Sequence, residues 1–472
     1  MESEDVVIRP FRAMGREGAL LYVDGLARSE DMERFILKPL LAASAPEKDI
    51  RDHIRMSLLP LASVTVAEDA DQVLTRVFSG DAALILSAMP GALIADVKGF
   101  AHRAVGQPVN ESVVAGPHEG FTESLRDNVV LIRRMLRTPD LISEEITVGD
   151  EVPTRLCLMY RRSVIQRDTV DEVRRRLRLI RVDYVSSLGM LEQLMEDHPF
   201  SLLPQAAATE RPDRAVSFLN EGQAVIVMEN APQVLALPAG FWHLFHAPDD
   251  TALRWQYGAF LRFLRLIGMG LALLLPGVFL ALTVFHPEGM SLSLLTSVVE
   301  SQARVPLTLF ASLLLMLFIF SLINEAASRV PGAMGASLSI VSGLILGQAA
   351  VEADLFSPLI LIVVALSGLG SYTAPTHALT LALRICQLAL VLGAGLGGYL
   401  SMIPLLFVFL LRLMNLTSLG FPYFAPIAPK RIANPDTLLR LPVWTRRTRG
   451  PLARETPSPG PMRGWEKPKE EK

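Results

Sequence analysis

Hydrophobic and polar positions follow one pattern in the first 255 residues and another in the residues that follow. In the first region, short apolar runs alternate with amphipathic stretches, which is typical of mixed α/β layers. These elements predict two small α/β subdomains, residues 1–106 and 107–255. The predicted strands are 19–23, 82–87, 154–160 and 224–228, and the predicted helices are 30–41, 69–78, 121–136, 170–180 and 187–195.

Long apolar segments replace this alternation from residue 266 to residue 429, where only nine side chains are charged. A helix needs about 20 apolar residues to cross a bilayer, because lipid offers no partners for its backbone groups. Residues 266–285 and 305–323 meet this requirement without a single charge. The predicted fold class is an α/β cytoplasmic region of two small subdomains followed by an all-α polytopic membrane domain, residues 256–429, of four to six segments. Further helices are predicted at 336–350, 358–371, 378–400 and 404–416.

The tail, residues 430–472, has eleven basic residues, five acidic residues and seven prolines. Such a composition buries too little apolar surface to offset chain entropy, so most of the tail is predicted to be disordered. Its excess of positive charge favours a cytoplasmic position. The first residues lack the basic-then-apolar pattern of a signal peptide. We therefore expect both ends to be cytoplasmic and the number of crossings to be even.

Composition and motifs give no support for an enzyme, a cofactor site or a metal site. Two cysteines, Cys157 and Cys386, exclude a disulfide framework, and no histidine pair has metal-ligand spacing on one helix face. The GxGxxG pattern at 393–398 lies in an apolar segment, where close helix contact is favoured over dinucleotide binding. The arginines in 174–181 alternate with apolar residues, which favours a solvated helix face over binding of anionic lipid or nucleic acid. A net charge of −3 also argues against nucleic acid as a partner.

Five charged residues are candidates for a role at membrane depth, where an unpaired charge is costly. Glu325 and Arg329 have the i, i+4 spacing of a helical ion pair, and Glu352 and Asp354 end the third apolar segment. An interfacial turn is the favoured interpretation of these four. Arg384 has apolar sequence on both sides, so it either extends to the interface or pairs with one of these carboxylates.

The third apolar segment contains a stripe of small residues at helical spacing. Such a stripe either lines a narrow aqueous path or lets helices pack closely, and it is the predicted pore. The pore candidates are Gly335, Ser339, Ser342, Gly343, Leu346 and the neighbouring Gln348.

Several motifs in order along the chain resemble one known family. Residues 116–134 resemble the signature GP..GF.E.L..N..LIR of the bacterial spore germination GerA family, the A-subunit class of germinant receptors. The resemblance continues through 209–213, 220–222 and 421–423. It also includes 324–331, although Asn324 replaces a usual basic residue and Ser321 stands where the family often has an acidic one.

The resemblance implies a multi-pass protein of the inner spore membrane that acts in germination. It implies a homo-oligomer, proposed to be a pentamer-like ring forming a gated ion channel. Expected partners are a transporter-like B subunit, a lipoprotein C subunit and membrane lipid. Two alternatives stay open: an accessory channel like the stage V sporulation AF proteins, which amplifies the germination signal, and a secondary transporter. A membrane-anchored enzyme is disfavoured because no catalytic constellation appears.

Overall fold

The computed structural model describes residues 3–44, 50–87, 89–99, 108, 111, 116–329, 347–429, 437–442 and 452–454. An α/β region with two separate sheets precedes a helical region. The predicted fold class is therefore confirmed.

The first subdomain is a five-stranded antiparallel sheet with helices on both faces. Its strands pair in the order β1-β2-β4-β5-β3. The strands are β1 (Val6–Ala13), β2 (Arg16–Val23), β3 (Val64–Ala67), β4 (Ala82–Leu86) and β5 (Ala92–Ala95). The helices are α1 (29–42), α2 (50–58) and α3 (Ala70–Val77); π-helical turns occur in α1 and α2.

The second subdomain repeats this arrangement. Its sheet has the order β6-β7-β9-β10-β8, which is the same strand order when the strands are counted along the subdomain. The strands are β6 (Leu141–Val148), β7 (Thr154–Arg161), β8 (Ala207–Thr209), β9 (Ala224–Met228) and β10 (Val234–Leu237). The helices are α4 (Leu125–Met135), α5 (Arg167–Leu179), α6 (Leu188–Met195) and α7 (Pro212–Asn220).

Helix α4 lies between the two sheets. Val129 and Ile132 pack in the core of the second subdomain, whereas Val130 packs against the first. The turn after β2 approaches α4 so closely that a Cβ on Gly25 would lie 2.3 Å from Val130 Cγ2. Gly25 also has a φ of +80°, which favours glycine. The two subdomains are therefore packed directly on one shared helix.

Two short helices, α8 (Phe241–Phe245) and α9 (Asp249–Ala252), lead from the second sheet to the helical region. Among the described residues, three helices of that region are long and apolar enough to cross a membrane: α10, α12 and α15. Helices α14 and α16 are apolar but shorter. The helices are α10 (Trp255–Val284), α11 (Leu292–Gln302), α12 (Leu309–Arg329), α13 (347–352), α14 (Pro358–Ser371), α15 (His377–Gly397) and α16 (Tyr399–Asn415).

The start of α10 and the end of α16 both lie at the second subdomain. At the opposite end, the rings of His286 and Tyr399 stack with centroids 5.2 Å apart. A short hairpin, β11 (Thr417–Ser418) and β12 (Phe421–Pro422), follows α16. The helical region thus begins and ends on the same subdomain.

Parts of the tail pack against the α/β region, although most of the tail was predicted to be disordered. Leu452 and Ala453 are buried, and the Arg454 backbone N–H donates to the Val164 carbonyl oxygen at 2.7 Å. The tail therefore returns to the second subdomain.

Candidate functional site

The first membrane helix starts at Trp255, well before the predicted span that begins at residue 266. The additional turns have one face that buries Gly258 and two arginines. The opposite face exposes Tyr257 and Phe260, which are 60% and 63% accessible. Aromatic side chains of this kind are common at membrane interfaces. The helix therefore joins the α/β region rigidly to the first span.

A buried ion cluster fixes this junction. The Asp250 side chain is fully buried; its Oδ2 accepts from Arg262 Nε and Arg265 Nη1, both at 3.0 Å. Arg265 Nη2 and the Ala247 backbone N–H add bonds of 3.2 Å. Burial raises the pKa of Asp250, but the hydrogen bonds and charges of the two arginines outweigh it and lower the pKa overall. The carboxylate is therefore ionised and holds the helix by charge-assisted hydrogen bonds.

The tail segment 437–442 adds a second layer to the junction. The Thr437 carbonyl oxygen lies 2.8 Å from His246 Nε2. Arg440 is 5% accessible and donates to the Thr251 carbonyl oxygen at 3.0 Å. Burial lowers the pKa of His246 to about 3, so the ring is neutral. The tail thereby ties the last turns of the α/β region to the start of α10.

The hairpin after α16 forms the second attachment point. Ser418 Oγ donates to the Gln205 carbonyl oxygen at 2.6 Å and accepts from the Ala239 backbone N–H at 3.1 Å. Tyr423 is fully buried, and its hydroxyl donates to the Pro204 carbonyl oxygen at 2.7 Å. The end of the helical region is therefore anchored by hydrogen bonds rather than by a loose linker.

A groove of about 710 Å³ lies beside this hairpin. In its wall, Asp197 Oδ2 accepts from Thr417 Oγ1 at 2.7 Å and from the Gly420 backbone N–H at 3.0 Å. Arg176 forms an ion pair with Asp197 at 2.6 Å. Two charges of opposite sign thus link helix α5 to the hairpin, so a shift of α5 would reach the end of α16.

Two further carboxylates, Glu192 of α6 and Glu196 directly after this helix, lie near the hairpin. Burial and the charge of Glu196 raise the pKa of Glu192 to about 7. Burial also raises the pKa of Glu196. Burial raises the pKa of Tyr423, and the charges of Glu192 and Glu196 raise it further, so the two carboxylates lie close to the anchoring tyrosine.

The motif 209–213 contains a buried arginine that makes structural hydrogen bonds. Arg211 is 1% accessible and donates to Asp213 Oδ2 at 2.9 Å and to the Pro117 carbonyl oxygen at 3.1 Å. The Phe121 backbone N–H donates to the Glu210 carbonyl oxygen at 2.8 Å. This motif therefore fastens the Gly-Pro segment before α4 to the second sheet.

The arginine that ends the LIR signature joins the two subdomains. Arg133 is 1% accessible, and its Nε donates to Asp5 Oδ2 at 2.5 Å. Its Nη2 donates to Ser3 Oγ, and its Nη1 donates to the Leu141 carbonyl oxygen, each at 2.7 Å. Arg211 and Arg133, both in motifs shared with the family, thus stabilise the fold of the α/β region.

Most of the predicted pore lies outside the described residues. This applies to Gly335, Ser339, Ser342, Gly343 and Leu346.

The sixth pore candidate is described and lies on α13. Gln348 is exposed, and its Nε2 donates to Glu352 Oε1 at 3.3 Å. Asp354 follows in a turn with a positive φ of 53°.

The other charged candidates lie near the ends of α12 and α15. Glu325 and Arg329 form the predicted i, i+4 ion pair at an exposed position. Arg384 lies with Cζ 5.8 Å from the centre of the Tyr372 ring. The structure brings these predicted residues close to the α/β end of the helices.

A basic stretch, residues 254–265, precedes the first span in the sequence, but its partner Asp250 was not predicted. Flanking arginines of a span are normally interpreted as cytoplasmic charge facing water. A turn with two aspartates, Asp249 and Asp250, shortly before such arginines was the available signal. Within the described part of the chain, no group of three or more His, Cys, Asp or Glu residues is placed to hold a metal ion.

Comparison with known proteins finds relatives over nearly the whole length of the chain. The profile of the Bacillus/Clostridium GerA spore germination protein matches residues 1–451. The chain is 32% identical to spore germination protein B1 of Bacillus subtilis, with 90% of this chain and 89% of that protein covered. It is 31% identical to the uncharacterized membrane protein YfkQ of Bacillus subtilis, with 99% and 91% covered.

The chain also resembles the crystal structure of the N-terminal domain of the A subunit of the Bacillus megaterium spore germinant receptor GerK3. The sequence identity is 27% and the TM-score is 0.41, with 51% of this chain and 90% of that chain covered. The family match extends over nearly the whole sequence, through both subdomains and all the described helices. The chain therefore belongs to the GerA spore germination protein family.

Proposed function

We propose that this protein is the A-type membrane subunit of a nutrient germinant receptor, and that several copies form a gated ion channel in the inner membrane of the spore. A transporter-like B subunit and a lipoprotein C subunit are the proposed partners. Family membership supports the role in germination. The observation that carries the gating proposal is that one subdomain holds both ends of the helical region.

The two attachment points give a direct route for coupling. Movement of the second subdomain pulls on α10 through Asp250 and on α16 through Ser418. Both contacts are buried and hydrogen-bonded, so the attached helices follow the subdomain. A gate with two states needs only a few kcal/mol of differential contact to switch.

The orientation proposed is cytoplasmic for both ends. The tail contacts the start of α10 through Thr437 and Arg440. The tail and the α/β region therefore lie at the same end of the membrane helices. This orientation requires an even number of crossings, and we propose four or six.

Ion flux from liposomes tests the channel proposal. The full-length protein is reconstituted with K⁺ inside, alone and with its B and C subunits, and efflux is recorded. Passive conductance supports a channel, whereas saturable coupled uptake supports a transporter. Ser342→Leu, in the predicted pore, should abolish efflux without changing the number of copies per particle.

The control is Ser297→Leu, at an exposed position of α11. This variant should conduct like the unchanged protein. Unchanged flux through Ser342→Leu would remove the predicted stripe as the pore. A protein that stays monomeric in lipid and passes no ions with its partners present would overturn the channel itself.

A further inference from the structure

A cavity of about 290 Å³ lies between helices α12, α14 and α15. Its lining changes from apolar to polar along the helices. Leu314 of α12 and Leu388 of α15 lie toward one end, and Ser321 and Arg384 lie toward the other. The polar end is the end at which α12 finishes and α15 begins. The cavity is therefore amphipathic, with its polar end toward the α/β region.

The charged side chain of the cavity, Arg384, lies at its polar end. The guanidinium of Arg384 lies over the ring of Tyr372, and the Tyr372 hydroxyl donates to Asn324 Oδ1. The other amide atom, Asn324 Nδ2, is buried and has no hydrogen-bond acceptor among the described residues. Arg384 lines the cavity, whereas Tyr372 and Asn324 lie outside its lining. A cation at one end of a mostly apolar cavity favours an anionic ligand.

The acidic residues of the membrane domain do not supply this anion. Glu325 pairs with Arg329 of its own helix, Glu352 accepts from Gln348, and Glu288 lies 3.4 Å from His286. Within the described ranges, no carboxylate lies within 4.0 Å of Arg384. The membrane segment left undescribed, 330–346, contains no Asp or Glu. Arg384 therefore has no carboxylate partner within the described part of this domain, so its charge is available to an anionic ligand.

We propose that this cavity binds one anionic phospholipid. Its phosphate lies against Arg384, and one acyl chain runs between Leu314 and Leu388. Arg384 is two turns from the start of α15, about 10 Å along the axis, and an arginine side chain can extend over much of that distance toward the headgroups. The apolar end of the cavity matches the chain, and the unpaired charge matches the headgroup.

Lipid binding to the full-length protein tests the proposal. Protein purified in detergent is stripped of lipid and titrated with phosphatidylglycerol, phosphatidylcholine or glycerol phosphate, and bound lipid is counted by native mass spectrometry. Phosphatidylglycerol should bind at one copy per chain and at least about fivefold more tightly than phosphatidylcholine, because one arginine near a headgroup contributes about that factor. Glycerol phosphate should not bind, because it has no chain to fill the cavity.

Three substitutions locate the site. Arg384→Gln should lower phosphatidylglycerol affinity about fivefold, and Arg384→Lys should keep most of it because the charge remains. Leu388→Trp should block binding by filling the apolar end. Arg412→Gln removes a charge from an exposed position of α16 and is the matched control, so it should bind like the unchanged protein.

Four results would overturn the proposal. Equal affinity for phosphatidylcholine would remove the headgroup contact, and full binding by Arg384→Gln together with Leu388→Trp would place the lipid elsewhere. Binding of glycerol phosphate at equal affinity would mean a site for a free anion. Loss of lipid binding in the oligomer, with Arg384 cross-linked to a neighbouring copy, would mean that a second chain fills the cavity.

Discussion

The two subdomains share one strand order but differ in what they hold. In the first, the sheet faces are covered by its own helices and by α4. In the second, the same topology also carries the contacts to the start of α10 and to the hairpin after α16. A fold can therefore be repeated while only one copy takes on the attachment to the membrane helices.

The difference lies in polar contacts added at the end of the second sheet. Gln205 precedes β8, and Ala239 follows β10, so both lie where neighbouring strands end or begin. The Gln205 carbonyl oxygen accepts a hydrogen bond from Ser418 Oγ, and the Ala239 backbone N–H donates one to it. Asp250 is added beyond the sheet, in the helix that leads to α10. The attachment thus depends on a few residues outside the repeated elements, and substitutions can separate the two roles.

The largest effect is expected for Asp250→Asn. It leaves Arg262 and Arg265 buried without a counter-charge, which costs about 3 kcal/mol or more. The midpoint of thermal unfolding in detergent should fall by about 6 °C or more. Gating should fail as well, because α10 no longer follows the second subdomain.

Asp183→Asn is the control, since Asp183 is an exposed aspartate of the same subdomain. Its unfolding midpoint and ion flux should match those of the unchanged protein. A stable Asp250→Asn variant with normal flux would show that the ion cluster is not the coupling contact.

A smaller effect is expected for Arg133→Gln, which separates the two subdomains from each other. The substitution leaves Asp5 without its buried cation and should cost about 2 kcal/mol. Amide hydrogen exchange should accelerate in β1 and β2 while β9 stays protected, because only the first sheet loses an anchor.

Arg126→Gln is the matched control for this link. Arg126 pairs with Asp24 across the same boundary, but their side chains are 57% and 44% accessible. Removing it should cost less than about 1 kcal/mol. Equal acceleration of exchange in both sheets after Arg133→Gln would mean that the subdomains unfold as one unit.

The elements that the sequence predicted well are those with continuous apolar runs between clear boundaries. Strand 224–228 and helix 358–371 have the predicted bounds in the structure. Strand β1 was missed, because it is an edge strand with Arg9, Pro10 and Arg12 exposed, so its apolar pattern is weak. The structural repeat of the two subdomains was missed too, because the two sheets share a strand order but not a recognisable amino-acid sequence.

The sequence shows where the junction before the first span lies, but not which residues pair there. Arg262 and Arg265 are visible in the sequence as basic residues just before the first span. Their partner could not be identified, since the carboxylate becomes buried only when α9 folds back on α10. The anchoring of Tyr423 across more than 200 residues to Pro204 leaves no local pattern at all.

The smallest effect, and the one that depends on pH, is expected for Glu192→Gln. The pKa of Glu192 is raised from 4.5 to about 7 in the folded protein by burial and by Glu196. The folded state therefore binds this proton more tightly than the unfolded state does. Stability falls as the pH rises from 4.5 to 7, because the carboxylate then ionises in a buried site.

The substitution removes this cost, so Glu192→Gln should be more stable than the unchanged protein by about 1 kcal/mol at pH 8. At pH 5 the two proteins should unfold at nearly the same temperature. Glu151→Gln, at an exposed position of the same subdomain, should show no such difference between the two pH values. If Glu192→Gln gains no stability at pH 8, the α6 carboxylates are hydrated, and the contact between the second subdomain and the Tyr423 anchor is looser than the structure shows.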